Sequence, residues 1–111
     1  MMEIKDFTDA MMKVAVLDNK RAKAFEDFRS GVDLINKVNR LIYIRNQYES
    51  IANWLLISVL TKRYYTQEDQ LLENACIEGI KVCNNAINCA CSNYVTDKVQ
   101  SKLLSFLFGR I

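Results

Sequence analysis

Residues 72–94 have the sequence LENACIEGIKVCNNAINCACSNY, in which an apolar or small side chain recurs at every third or fourth position. At 3.6 residues per turn, this spacing places one stripe along a single face of an α-helix for about six turns and leaves a polar face behind it. Small residues dominate the stripe, so a neighbouring helix can approach closely. The stripe comprises Leu72, Cys76, Gly79, Ile80, Cys83, Ala86, Ile87, Ala90 and Tyr94.

Local signals on either side of the stripe predict where helices begin. The side chain of Thr66 can accept a hydrogen bond from a free backbone N–H of a first turn, and Glu68 and Asp69 complement the positive end of the helix dipole. The helix that carries the stripe should therefore begin after Thr66. Farther along, Thr96 is predicted to cap a separate last helix over residues 97–108.

The first helix is predicted to begin near Thr8, with an apolar face made of Phe7, Met11, Val14 and Ala15. An unbroken helix to residue 28 would place the carboxylate of Asp18 in that apolar face. We therefore predict a break at Asp18 and Asn19, where Asp18 caps a second helical piece that carries Ala22, Phe25 and Phe28. A single long, kinked helix is the alternative.

Gly31 separates these residues from a further helix, predicted over residues 32–48, whose inward side chains are Leu34, Ile35, Val38, Leu41 and Ile42. Residues 51–60 are apolar on nearly all sides, which predicts a segment surrounded by the other helices. The connection at 46–50 is either a corner with Ser50 as a new N-cap or a continuous helical turn.

The composition favours helices over sheets. The 111 residues include no proline and three glycines, so the chain lacks most of the residues that form the tight turns of β-hairpins. Half of the residues are apolar and a quarter are charged, as in ordinary globular proteins. We predict a single all-α domain over residues 1–111, a compact bundle of four to five helices with no sheet.

The set of reactive side chains argues against an enzyme. The sequence contains no histidine, which removes the commonest general acid or base and the commonest metal ligand. The cysteines lack the paired spacing of a zinc site, and the sequence has no glycine-rich phosphate loop. We expect no catalytic residue, no metal and no cofactor, and we interpret the cysteines as reduced thiols. They are Cys76, Cys83, Cys89 and Cys91.

Charge and hydropathy limit the partners. A net charge of +2 is low for a protein that binds a phosphate backbone, so nucleic acid is not the favoured partner. The most apolar stretch, residues 51–60, is too short to span a bilayer. The sequence therefore predicts no membrane span and, by default, a cytoplasmic location.

Arg45 and Glu49 are the polar residues that fit the apolar pattern least well. A continuous helix would place both in the middle of the stripe formed by Val38, Ile42, Ala52 and Leu56. One interpretation is an ion pair between them at a bundle edge or an oligomer seam. A second makes Arg45, with Tyr48 and Glu49, a ligand or anion site. A break of the helix between Arg45 and Glu49 would remove the conflict.

A basic and aromatic run at residues 62–65 supports an alternative function. Lysine, arginine and tyrosine are combined there as they are in sites for single-stranded nucleic acid, although cations also complement the negative end of a preceding helix. The alternative is a nucleic-acid or nucleotide-binding regulatory protein. Its residues would be Lys37, Arg40, Arg45, Lys62 and Arg63, together with Tyr64 and Tyr65.

Two groups of apolar residues lie outside the main stripes. Leu71, Val82 and Cys89 form a secondary line on the long helix, which we expect to be covered by the same bundle or, as the less favoured alternative, by another subunit. At the C-terminus, Leu104 and Phe108 remain beside a seam formed by Val99, Leu103, Phe106 and Leu107. Their cover is either the chain's own core, or a second copy of the chain or another protein.

These observations predict a small, non-enzymatic helical interaction protein. It would bind a partner protein, or itself, through apolar helix faces, and a dimer is the commonest form of such self-association. The many Asn, Ile and Lys residues fit an AT-rich genome and suggest an accessory protein of a phage or other mobile element.

Overall fold

The computed structural model describes residues 3–28 and 33–108, with the side chains of residues 3–26 and 33–90. Over these ranges the chain forms three α-helices, α1 (Phe7–Phe28), α2 (Leu34–Lys62) and α3 (Gln67–Phe108), and no strand. The all-α prediction is confirmed. The expected four to five helices are not: the chain continues as helix through the three positions where local signals predicted a break or left one open.

The α1 helix passes through Asp18 and Asn19 without a break. The Asp18 carboxylate does not cap a helix. It accepts a hydrogen bond from the hydroxyl of Tyr48 on α2, so its position beside the apolar face is stabilised by a partner from another helix. The N-terminus of α1 is capped instead by Asp6, whose carboxylate accepts a bond from the backbone N–H of Asp9.

The α2 helix continues through residues 46–50. The Ser50 hydroxyl donates to the carbonyl oxygen of Asn46, four residues back, at 3.1 Å. Serine makes this bond inside a helix, and it is incompatible with the role of N-cap. The helix ends at Lys62 because Arg63 adopts the left-handed conformation, with φ of 64°, and its N–H donates to the carbonyl of Val59.

The predicted start of α3 is confirmed by a reciprocal cap. The Asp69 N–H donates to the Thr66 hydroxyl at 3.1 Å, and the Thr66 N–H donates to the Asp69 carboxylate at 2.9 Å. The helix then passes through Thr96 to Phe108. A separate last helix over residues 97–108 was therefore the wrong prediction.

The three helices pack in an up-down-up bundle around one core. The predicted stripe of α3 forms the centre of it: Leu72, Cys76, Gly79, Cys83, Ile87 and Ala90 are buried, and Ile80 and Ala86 are half-buried. The Tyr94 side chain lies outside the described side chains. The stripe packs against Ala10, Val14, Leu17 and Ala24 of α1 and against Leu41, Ile44, Tyr48, Ile51 and Leu55 of α2.

The prediction that residues 51–60 are surrounded is wrong. Ile51 and Leu55 are buried, but Leu56, Ile57 and Leu60 are each more than half exposed. The reason is that α1 and α3 both pack on one side of α2, and three helices leave the opposite side of each helix to solvent.

The bundle has a compact cross-section and one long dimension, with overall extents of 70 × 24 × 23 Å. The long dimension follows from α3, whose 42 residues span about 63 Å at 1.5 Å per residue. Tyr48 faces Gly79 and Lys62 contacts Asp69, so α2 and α3 are antiparallel and Leu34 lies opposite about residue 95. The turns of α3 over 96–108 therefore extend past the first residue of α2.

Candidate functional site

Tyr48 is the contact point of all three helices. Its side chain is fully buried, its ring lies against Gly79 of α3, and its hydroxyl donates to the Asp18 carboxylate of α1. The guanidinium carbon of Arg21 is 5.9 Å from the centre of the ring. Burial, and then the bond to Asp18, hold the pKa of Tyr48 well above its ordinary value. This position gives Tyr48 a role in packing and closes it off from solvent.

Arg45, one turn away, reaches α3. Its Nη1 donates to the side-chain oxygen of Asn84 at 3.0 Å, its Nη2 lies 3.5 Å from that of Asn46, and its buried Nε has no hydrogen-bond partner. Glu49 is exposed. The structure therefore brings Arg45 to Asn84, across the helix pair, and does not bring Arg45, Tyr48 and Glu49 together around one pocket.

The basic residues of the alternative function are divided between the two ends of α2. Arg40 and Lys62 are 22 residues apart in one helix, which is about 33 Å. Lys62 forms an ion pair with Asp69 at 2.6 Å and lies 5.0 Å from the centre of the Tyr64 ring.

Tyr65, next in the same loop, also contacts an acid. Its hydroxyl donates to Glu73 at 2.6 Å, and this bond raises the pKa of Tyr65 to about 12. Two residues of the loop at 63–66 therefore contact carboxylates, Tyr65 that of Glu73 and Thr66 that of Asp69. Lys37 and Arg40 are not brought alongside it.

The secondary line on α3 is not covered by its own bundle. Leu71 and Cys89 are exposed and Val82 is half-buried, so the favoured expectation of cover within the same bundle was wrong. Leu104, Phe108 and Cys91 lie outside the described side chains. Cys76 and Cys83 are buried free thiols, and burial raises the pKa of Cys76 to about 11 and also raises that of Cys83.

A further apolar surface lies between α2 and α3, on the side away from α1. We call it the α2–α3 groove, a cavity of about 270 Å³ lined by Ala52, Leu55, Leu56, Val59, Tyr65 and Glu73. Two further apolar residues lie one helical turn from its lining, Leu60 from Leu56 and Ile77 from Glu73. The exposed fractions of Leu56, Leu60 and Ile77 are 57%, 66% and 51%. Ile77 lines a separate cavity with Ile80, Lys81, Asn84 and Asn85. Several exposed apolar side chains in one region of a surface are typical of a binding surface.

Sequence reasoning missed this groove, although its signal was present. A helix that is apolar on all sides is either surrounded or carries an excess of apolar surface that needs a partner. We predicted the first outcome for residues 51–60, whereas the structure leaves Leu56, Ile57 and Leu60 more than half exposed.

The described part of the chain offers little for other kinds of site. Among those residues, no group of three or more Cys, Asp or Glu side chains could hold a metal ion.

A further shallow cavity of about 330 Å³ lies between α1 and α2, where Met12 and Val16 are bordered by Lys13, Lys20 and Gln47. No helix in the described ranges is long and apolar enough to cross a membrane.

Comparison with protein-family models, with curated proteins and with solved structures finds no match to this chain.

Proposed function

We propose that this protein is a non-enzymatic helical interaction module that works by binding protein, and that its first partner is a second copy of itself. The observation that carries the proposal is the α2–α3 groove. Leu56 lines the groove, Leu60 and Ile77 lie one helical turn from its lining, and each of the three is more than half exposed.

Leaving the apolar side chains of this groove in water costs free energy, and a partner that buries them would remove that cost. Burying one Leu or Ile side chain that is otherwise exposed stabilises by about 1.5 to 3 kcal/mol. Isolated apolar residues on a surface are common and need no partner. Here Leu56 and Leu60 are one turn apart on α2, and Leu56 lines the same cavity as Tyr65. A contiguous surface of this kind fits another helix.

The remaining polar groups support a structural role rather than catalysis. Asp18 accepts the Tyr48 hydroxyl, Asp69 pairs with Lys62, and Glu73 accepts the Tyr65 hydroxyl. Each of these carboxylates therefore has a partner that links two parts of the bundle. A catalytic acid or base would need a free position beside a substrate.

A second copy is the partner that we favour because it is present wherever the protein is. Identical chains most often pair about a two-fold axis, in which the same surface of each copy is buried. Nucleic-acid binding has less support. The basic residues of that hypothesis lie near opposite ends of α2, and Lys62 is already paired with Asp69.

The test introduces two charges into the groove and compares this variant with one that carries the same two charges on another surface. Leu56→Lys with Leu60→Lys adds two positive charges in the groove, and Met12→Lys with Val16→Lys adds the same two charges on exposed residues of α1. Light scattering should show a dimer for the wild type and for the α1 control, and a monomer for the groove variant. Circular dichroism should show the same helix content for all three. If the groove variant remains a dimer, the groove is not the interface.

A further inference from the structure

Arg45 and Glu49 have no charged partner among the described residues of their own chain. Arg45 is half-buried and contacts two neutral side chains, Asn84 at 3.0 Å and Asn46 at 3.5 Å, the outer limit of a hydrogen bond. Its buried Nε has no hydrogen-bond partner. Glu49, one turn along α2, is exposed and has no hydrogen bond or ion pair to a described residue. A charge that is partly removed from water is stabilised by an opposite charge that pairs with it.

The two residues belong to a line of side chains along one face of α2, spaced at alternating steps of four and three residues. This spacing is that of the seam between two helices in a coiled coil. Each residue of the line is half-buried or exposed, and Ala52 and Leu56 also line the α2–α3 groove. The line consists of Val38, Ile42, Arg45, Glu49, Ala52 and Leu56.

The order of residues along this line is complementary to its own reverse. A second α2 that runs antiparallel, with position 47 of the two copies level, places every apolar residue opposite an apolar one and every charge opposite its counter-charge. A parallel α2 in the same register would place arginine against arginine and glutamate against glutamate. The pairs in the antiparallel arrangement are Arg45 with Glu49, Ile42 with Ala52, and Val38 with Leu56.

We propose that two copies of this chain pair α2 with α2 in antiparallel orientation, so that Arg45 of each copy forms an ion pair with Glu49 of the other. This inference rests on the self-association proposed above and names the helix that covers the groove. Val38 of one copy lies against Leu56 of the other, and Leu34 lies opposite Leu60 by the same spacing. The same line is buried in both copies, so the contact closes as a two-fold dimer.

Substitutions of Glu49 test the ion pairs. Glu49→Gln removes the attraction, and Glu49→Arg places an arginine against each Arg45. Sedimentation velocity at low salt should show that Glu49→Gln raises the dimer Kd by about tenfold, since each contact occurs twice, and that Glu49→Arg raises it further. Glu78→Arg makes the same charge change at an exposed residue of α3 and should leave the Kd unchanged.

A mixture of two variants tests which residues face each other. Arg45→Glu carries two acids on the line and Glu49→Arg carries two arginines, so each should dimerise weakly with itself. Mixed in equal amounts, they should form heterodimers in which both contacts again join an arginine to a glutamate. The chain with both changes should regain about the wild-type Kd.

The outcomes separate this inference from the proposed function. If both Glu49 variants dimerise as tightly as the wild type, the pairing of α2 with α2 is wrong, while self-association through the groove stands. If Glu49→Gln tightens the dimer, the two helices are parallel and the inference is overturned. If the wild type is a monomer, both proposals fail. Should Arg45→Glu lose helix content by circular dichroism, the comparison of Glu49→Gln and Glu49→Arg with Glu78→Arg decides.

Discussion

At the scale of single residues, the fold depends on a contact between three residues that are each unfavourable on their own. Asp18 places a carboxylate beside the apolar face of α1, Gly79 has a lower helix propensity than alanine inside α3, and Tyr48 brings a hydroxyl into the core. In the structure they are partners, because the Tyr48 ring fits against the bare backbone of Gly79 and its hydroxyl meets Asp18. The interior accepts a polar group when that group is hydrogen-bonded.

The first prediction concerns Gly79. A Cβ atom at this position would lie 2.5 to 2.6 Å from three carbons of the Tyr48 ring, closer than real contacts allow. Gly79→Ala should therefore destabilise the protein, although alanine favours a helix over glycine by about 1 kcal/mol. Gly79→Leu should cost several kcal/mol, since it must separate α2 from α3. Urea denaturation measures both, and the Gly79→Ala penalty should shrink in a Tyr48→Val background. A change within error for Gly79→Leu would show that this face does not pack as described.

The second prediction concerns the Tyr48 hydroxyl. Tyr48→Phe should lower the free energy of unfolding at pH 7 by about 1 to 2 kcal/mol, because a hydrogen bond to a charged group is lost. Tyr43→Phe, an exposed tyrosine on the same helix, should change nothing and is the control. Equal effects of the two substitutions would contradict the role of the Asp18 bond.

The raised pKa of Tyr48 also predicts a dependence on pH. A group whose pKa is higher in the folded protein stabilises it fully below the unfolded pKa and less as the pH rises above that value. The ordinary values are 10.0 for tyrosine and 9.0 for cysteine. Stability should therefore begin to fall above about pH 9 through Cys76 and Cys83, and more steeply above pH 10 through Tyr48. In Tyr48→Phe the decline above pH 10 should be shallower, and an unchanged decline would contradict the assignment.

The third prediction concerns the thiols. Cys89 is exposed, whereas Cys76 and Cys83 are buried and their raised pKa values disfavour the reactive thiolate. A thiol reagent at pH 8 should modify Cys89 well before Cys76 and Cys83, which should react only when the protein unfolds. Peptide mapping by mass spectrometry identifies each site. Early modification of Cys83 would show that the core at α3 is open.

At the scale of the helices, the sequence predicted the faces better than the ends. Thr66, Asp18, Ser50 and Thr96 were all candidate N-caps by residue type. Only Thr66 begins a helix in the structure, because the left-handed conformation of Arg63 has already ended the preceding one. A capping residue expresses a local preference, and packing along a whole face can override it.

The hydrogen bond between Asp18 and Tyr48 could not be predicted for a different reason. It joins residues 30 positions apart, and the periodicity of one helix carries no information about its partner on another. The inward stripe of α3 was predictable because a buried helix face requires apolar residues at helical spacing within that same segment.

The fourth prediction distinguishes a true cap from a serine inside a helix. Thr66→Ala should destabilise the protein by about 1 kcal/mol, since it removes the side-chain acceptor of the first turn of α3. Ser50→Ala should have almost no effect, because the Ser50 hydroxyl donates to a carbonyl of its own helix. Chemical denaturation of the two variants is the measurement. A comparable loss for Ser50→Ala would indicate that α2 is two helices with a cap at Ser50.

At the scale of the whole molecule, three helices cannot cover all the apolar surface that this sequence provides. The segment at 51–60 is apolar on all sides, but α1 and α3 cover only one side of it, and the result is the α2–α3 groove. The excess of apolar residues was visible in the composition of residues 51–60, but which of them are left exposed depends on the packing angles of the helices, which no single segment encodes. In the self-association proposed above, a second copy would cover this surface.

The most direct test of self-association is the mass of the wild-type protein in solution, measured by sedimentation equilibrium at tens of micromolar and compared with that of the variant Leu104→Glu with Phe108→Glu. We expect about twice the chain mass of 12.9 kDa for the wild type, and a mass of one chain with unchanged helix content for the variant. A wild-type mass of one chain at these concentrations would contradict self-association. A variant that unfolds would show instead that Leu104 and Phe108 belong to the chain's own core.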